Sequence, residues 1–167
     1  MTILGIDPGT ATTGWGVIQQ SQKSKVKSQN CQDFGGLIYV GHGVIKTPVG
    51  MPMGERLLML HTQLSKIIAV HKPQVMAIEQ LFFGRNAKTG ITVGQARGVI
   101  MMAAAQAGIE PLEFQGLWMK KKLCGDGHAD KKKIAETVRK ILKLALIPKP
   151  DDAADALALA ICYDEKT

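Results

Sequence analysis

Short apolar runs broken by glycines occupy the start of the chain, and each run is short enough to be a strand. The first covers residues 3–6, ends on Asp7 and is followed by the turn pair Pro8 and Gly9. A second run returns over residues 14–20, and a third covers residues 37–40 and 44–45. This pattern predicts three sequential antiparallel strands, the third weakened by glycines at its centre.

Helical spacing follows, and it places a second carboxylate near the first. Apolar residues recur at helical intervals over residues 53–70, between Pro52 and Pro73, and a short apolar run then ends on Glu79. A long helix followed by an apolar strand is typical of a crossover connection, so this strand should be parallel to the first. We therefore expect Asp7 and Glu79 at the same edge of the sheet.

The remaining pattern predicts further helices and a fifth strand. Helices are expected at residues 88–107, 118–123, 130–144 and 151–163, and a strand at residues 110–114. The fold class is α/β, a five-stranded mixed sheet of three antiparallel strands and then parallel strands, flanked by helices. Residues 1–167 form a single domain in this interpretation. The polar segment at residues 19–36 is expected to be a loop, and we assign it no role.

Positive charge is concentrated in one segment. Residues 116–149 contain ten basic and three acidic residues, whereas the rest of the chain has eleven of each. Such a segment indicates a face that binds a polyanion, although a solvated helix surface explains the charge alone equally well. The sequence shows no signal peptide and no convincing membrane span, and its three cysteines lack metal-site spacing. We expect a cytoplasmic protein.

The last predicted helix begins with a cluster of acids: Asp151, Asp152 and Asp155. The dipole of the helix N-terminus favours acids in the first turn, but Asp155 lies beyond that turn among apolar residues. With Asp7 and Glu79, four oxygen donors could meet at one edge. Such donors suit Mg²⁺ or Mn²⁺, and two such ions about 4 Å apart can promote phosphodiester hydrolysis. The pattern favours a metal-dependent nuclease.

Five motifs, in this order and spacing, resemble the RuvC family of bacterial Holliday-junction resolvases in the RNase H-like superfamily. They are Gly5-Ile6-Asp7-Pro8-Gly9, Ala77-Ile78-Glu79-Gln80 with Phe82, Gly94-Gln95-Ala96-Arg97-Gly98 after Asn86, Ala129-Asp130-Lys131, and Asp152-Ala153-Ala154-Asp155. The resemblance covers nearly the whole chain. It implies an RNase H-like fold and a homodimer that binds four-way junction DNA and nicks two opposing strands symmetrically during recombination and repair. It also implies a divalent-ion requirement, with two Mg²⁺ per active site, and a branch-migration helicase as partner.

The resemblance assigns a role to each matching residue. The catalytic metal ligands are Asp7, Glu79, Asp152 and Asp155. Asp151 matches no catalytic position and is interpreted as the helix cap.

DNA contacts come from the same comparison of motifs. They are assigned to Phe82, Arg85, Asn86, Lys120 and Lys131. Phe82 would stack on bases near the junction centre, with a core phenylalanine as its alternative, and the two lysines would lie near the scissile phosphate. Residues 88–107 would form the dimerisation helix. The family usually has an aromatic and a basic residue where Asp126 and His128 stand, a departure that concerns DNA contacts of that loop and not the metal site.

Three other functions fit parts of the sequence. An RNase H-like nuclease acting on RNA or hybrids would share Asp7 and Glu79 but lack the motif at residues 94–98. A sugar-kinase or actin-like ATPase would need a much longer chain. A non-catalytic junction-binding protein would have no reason to retain four mutually repelling carboxylates.

Overall fold

The computed structural model describes residues 1–21, 34, 36–80 and 87–163, with residues 87–89 described by their backbone alone. Ten elements follow one another along these ranges. They are β1 (Thr2–Asp7), β2 (Thr12–Gln20), β3 (Leu37–Lys46), α1 (Met53–His71), β4 (Val75–Glu79), α2 (Ala87–Gln106), β5 (Pro111–Phe114), α3 (Gly116–Cys124), α4 (Lys131–Ile141) and α5 (Asp151–Cys162).

The five strands form one mixed sheet in the order β3-β2-β1-β4-β5. The first three strands pair antiparallel, β4 runs parallel to β1 with Ile6 opposite Ile78, and β5 runs parallel to β4. This arrangement confirms the predicted mixed sheet. Because Asp7 and Glu79 each follow one member of the Ile6–Ile78 pair, they end neighbouring strands at the same edge.

Helices cover both faces of the sheet, and alternate residues of β1 enter opposite cores. Ile3 packs with Leu157 of α5 and Val138 of α4, whereas Leu4 packs with Leu64 of α1 and Ile100 of α2. Strands buried on both faces need apolar residues at successive positions. This requirement explains the uninterrupted apolar run that precedes Asp7.

Helix α5 lies unusually close to the sheet because glycines of β1 and β2 face it. A Cβ atom on Gly5 would overlap the carbonyl oxygen of Ala156, and one on Gly14 would overlap that of Asp152. A Cβ on Gly16 would lie 2.7 Å from Cγ of Leu157. Any side chain at these positions would push α5, and the acids at its start, away from β1.

The predicted end of α4 was wrong. Helix α4 ends at Ile141 and not at residue 144, because Lys143 adopts a left-handed conformation (φ 53°) and the Leu144 amide bonds the Arg139 carbonyl oxygen at 2.9 Å. Strand β3 is continuous through its glycines, since Gly41 and Gly43 pair with Val17 and Trp15 of β2.

None of the helices in the described ranges combines the length and apolar character that a membrane crossing requires.

Gly14→Ala should lower the free energy of unfolding by about 2 kcal/mol or more, because the new methyl group overlaps the backbone of α5. Urea titration measures the change. Gly54→Ala is the matched control: the residue lies in α1 with nothing within 4 Å of its Cβ position, and the change should raise stability by up to about 1 kcal/mol. Equal stability of the two variants would contradict the close packing of α5.

Candidate active site

Two carboxylates meet where β1 and β4 end. Asp7 and Glu79 are both half-buried, and their side chains are hydrogen-bonded to each other. Burial raises the pKa of Asp7 from its ordinary 3.8 to about 8, and the negative charge of Glu79 adds to that rise. Burial likewise raises the pKa of Glu79. An ionised pair at this position is therefore unfavourable unless positive charge is nearby.

Helix α5 brings two more acids to the same edge. Asp152 and Asp155 are half-buried, and the negative charge of each raises the pKa of Asp7 further. Burial raises the pKa of Asp155, which two lysines partly offset and Asp152 reinforces. The structure thus brings all four predicted ligands into one electrostatic group.

The predicted capping role of Asp151 was wrong. Pro150 occupies the N-cap position of α5 and no side chain caps the helix, so Asp151 is its first helical residue. Asp151 is exposed, and its charge contributes to the raised pKa of Asp155. It favours the helix through the dipole and lies on the outer side of the acidic group.

Two lysines from different helices provide the positive charge of the site. Lys131, the first residue of α4, places its Nζ 3.7 Å from Oδ2 of Asp155. Partial burial lowers the pKa of Lys131, but the carboxylates outweigh this effect and raise it overall. Lys120 of α3 acts electrostatically on both Glu79 and Asp155. Both lysines therefore lie near the acids, and their role toward DNA stays a prediction.

Two residues that position Glu79 were not identified from the sequence. Arg97 of α2 donates from Nη1 to the Glu79 carbonyl oxygen at 3.2 Å and forms an ion pair with Glu113 of β5. Gly116 of α3 leaves room for the Glu79 carboxylate, because a Cβ there would overlap its Oε1 atom. Arg97 was visible as part of a motif without a role, whereas no sequence pattern indicated Gly116.

Three of the five predicted DNA contacts, Phe82, Arg85 and Asn86, lie outside the described residues. The loop that departs from the family pattern is described, and its acid has local partners. Asp126 accepts a hydrogen bond from the His128 amide at 2.9 Å, and its Oδ2 lies 3.8 Å from Nζ of Lys133. Asp126 therefore stabilises the loop and offsets one positive charge of α4.

The donor set fits a hard divalent cation by its chemistry. Within the described ranges, no three His, Cys, Asp or Glu side chains are placed to bind one ion together; instead Asp7 pairs with Glu79, and Asp155 with Lys131. Four carboxylates on three elements nevertheless supply only oxygen donors, and burial with mutual repulsion raises the pKa of Asp7. A cation would relieve that repulsion.

Comparison with known families identifies the chain over almost its whole length. The family model described as crossover junction endodeoxyribonuclease RuvC matches residues 3–163. A RuvC of Chloroflexus aggregans is 50% identical over 98% of this chain and 92% of its own length. A RuvC of Rubrobacter xylanophilus is 47% identical over 96% of this chain and 83% of its own length.

Solved structures give the same result for the fold. Thermus thermophilus RuvC in complex with a Holliday junction substrate has a TM-score of 0.82 and 33% identity, covering 96% of this chain and 91% of that one. The yeast mitochondrial Holliday junction resolvase Ydc2 has a TM-score of 0.64 at 13% identity, covering 95% and 75%, and supports the fold alone. The predicted RNase H-like fold is confirmed.

Without divalent ions, the free energy of unfolding should fall as pH rises from about 4 to about 8. The folded chain keeps a proton on Asp7 that the unfolded chain releases at lower pH, so ionisation favours unfolding in this interval. In EDTA at pH 8, Asp7→Asn should therefore be more stable than the unaltered protein by at least about 1 kcal/mol. Urea titrations at pH 5 and pH 8 measure this difference. Asp126→Asn, at an exposed loop position, is the control, and an equal gain in that variant would contradict the assignment.

Proposed function

This chain belongs to the RuvC family of crossover junction endodeoxyribonucleases, and we propose that it resolves four-way DNA junctions by nicking two opposing strands. The observation that supports this most directly is the acidic group at one sheet edge, formed by Asp7, Glu79, Asp152 and Asp155. A Thermus thermophilus relative with the same fold is known in complex with a Holliday junction substrate. The substrate of that relative, the shared fold and the acidic group all support cleavage of junction DNA.

The four carboxylates would hold the catalytic metal, which we propose to be two Mg²⁺ ions, with Mn²⁺ as a substitute. Bound ions of this kind activate water and stabilise the leaving oxygen of a phosphodiester. The chain itself contributes rigidity, because Asp7 and Glu79 follow paired strands and the other two acids lie on a buried helix. Lys120 and Lys131 would approach the scissile phosphate, since each already lies within the field of the acids.

The basic helices provide a surface for the phosphate backbone beside this site. Lys121 of α3 and Lys132 and Lys133 of α4 are exposed, so they can bind phosphates without losing a buried partner. Base contacts would come from Phe82, with Arg85 and Asn86 beside it. The lysines would provide affinity for the phosphate backbone, and Phe82, Arg85 and Asn86 would position the junction centre.

Symmetric nicking requires two active sites, and α2 has a face suited to pairing with a second copy. Five exposed residues spaced four, three, four and three apart form one stripe along it: Ile91, Gln95, Gly98, Met102 and Ala105. A Cβ on Gly98 would meet no described atom within 4 Å, so the packing of one chain does not require glycine there. A helix glycine costs about 1 kcal/mol relative to alanine, and close approach of a partner helix accounts for it.

The same proposal sets the cellular context. The enzyme would act in the cytoplasm, where bacterial DNA lies, and with a branch-migration helicase that delivers junctions to it. Cleavage of RNA or hybrids is the second candidate, because the acidic group alone would serve either substrate. Substrate comparison separates the two.

Cleavage should require both the junction and a divalent ion. The protein should nick synthetic four-way junctions in Mg²⁺, with products on two opposing strands resolved by denaturing electrophoresis, and should not cut in EDTA. Asp7→Asn should lower the rate by about a thousandfold or more while junction binding is retained, because it removes a metal ligand and no basic residue. Equal cutting of RNA–DNA hybrid would contradict the proposal, and so would undiminished cutting by Asp7→Asn.

The dimer prediction has its own test. The unaltered protein should have twice the chain mass by light scattering at micromolar concentration, and Met102→Glu should be monomeric because it places a charge on the α2 stripe. Leu58→Glu is the matched control, since Leu58 is an exposed apolar residue on α1, 65% accessible against 47% for Met102. A monomeric unaltered protein, or dissociation by both variants, would contradict this face as the interface.

A further inference from the structure

The turn that follows Asp7 is held by hydrogen bonds on three successive carbonyl groups. The Gly9 carbonyl oxygen accepts from Thr13 Oγ1 at 2.6 Å, and that of Thr10 accepts from the Thr47 hydroxyl. The Ala11 carbonyl oxygen accepts from the Thr47 amide at 3.0 Å. Thr47 directly follows β3, so one residue beyond the strand fixes two carbonyls of this turn.

A buried arginine fixes Thr47 in turn. Arg56 of α1 is only 8% exposed, and its Nε donates to Oγ1 of Thr47 at 3.1 Å. A guanidinium can only donate hydrogen bonds, and a hydroxyl has a single proton to give. Thr47 must therefore accept from Arg56, which leaves its own proton for the Thr10 carbonyl. The bonds form a relay with one direction, from Arg56 through Thr47 to the turn.

The burial of Arg56 has no evident benefit to stability. The ion pairs of the described ranges join other residues, so this guanidinium is not paired with any carboxylate described there. Burying part of a charged group is costly, and a methionine or leucine would fill much of the same space without that cost. What Arg56 adds beyond volume is a fixed donor aimed at Thr47.

The turn needs such a restraint because it begins directly after Asp7, the last residue of β1. A loose turn would let Asp7 swing away from the other acids. Displacement of a catalytic group by about 1 Å can cost about a hundredfold in rate.

We propose that Arg56 and Thr47 are positioning residues that hold the turn after Asp7 in the orientation required for metal binding. This inference rests on the proposed active site. Neither residue touches substrate or metal; each acts through the Thr10 carbonyl on the backbone that carries Asp7. Arg56 lies on the buried side of α1, the helix that packs on the sheet face opposite α5.

The test removes the hydroxyl and keeps the shape. Thr47→Val retains the amide bond to Ala11 and should lower the junction cleavage rate by about tenfold or more. It should also weaken Mn²⁺ binding by a similar factor, measured by electron paramagnetic resonance without DNA, while junction affinity in EDTA stays unchanged. Thr47→Ser should restore both. Thr62→Val is the matched control, because the exposed Thr62 hydroxyl donates to the Leu58 carbonyl of its own helix at 2.8 Å, and this variant should change neither property.

Arg56→Lys is the second variant, and it tests the same positioning role if Thr47→Val does not fold. Lysine keeps the charge but has no donor at the Nε position, so the same loss of cleavage and of Mn²⁺ affinity is expected. Folded variants that cleave and bind Mn²⁺ as the unaltered protein does would overturn the inference. Full cleavage by Asp7→Asn would instead refute the active site itself, so the two failures are distinguishable.

Discussion

The contact between the backbone of α5 and the glycines of β1 and β2 determines the rest of this structure. Gly5 and Gly14 leave no side chain between helix and strand, so the α5 backbone lies directly on them, and Gly16 leaves room for Leu157 of α5. The consequence is functional as well as structural. Asp152 and Asp155 lie at the start of that helix, and only this closeness lets them act on Asp7, which ends β1. One packing interaction thus connects the core to the acidic group.

The same arrangement places the chemistry where it opposes stability. Burial and mutual repulsion raise the pKa of Asp7 to about 8, and no packing benefit accompanies that charge density. Positive charge offsets it from two sides, through Lys131 within 3.7 Å of Asp155 and through Lys120. A site that repels itself without a cation is suited to bind one, and the lysines offset part of that repulsion. The charges of the acids and of the two lysines thus affect both the stability of the fold and the proposed function.

Whether a feature of the structure can be predicted from the sequence depends on how far apart in the chain the interacting residues lie. Strand ends and helix turns have local periodic signals, so the convergence of Asp7 with Glu79 and the α5 acids followed from patterns and the crossover rule. Contacts between distant segments leave no such signal. The sequence therefore did not reveal the space at Gly116 that Glu79 occupies, nor the bond from Thr47 to the turn after Asp7. The capping role expected of Asp151 failed because Pro150 occupies the cap position.

We expect the close packing of α5 to create one metal site from residues of β1, β4 and α5. Anomalous diffraction from crystals soaked in Mn²⁺ tests it most directly, since the signal locates the ion without assumptions about its ligands. We expect Mn²⁺ between Asp7, Glu79 and at least one acid of α5, and its loss from that position in Asp7→Asn. Mn²⁺ bound elsewhere, with Asp7 still paired with Glu79 and Asp155 with Lys131, would contradict this expectation.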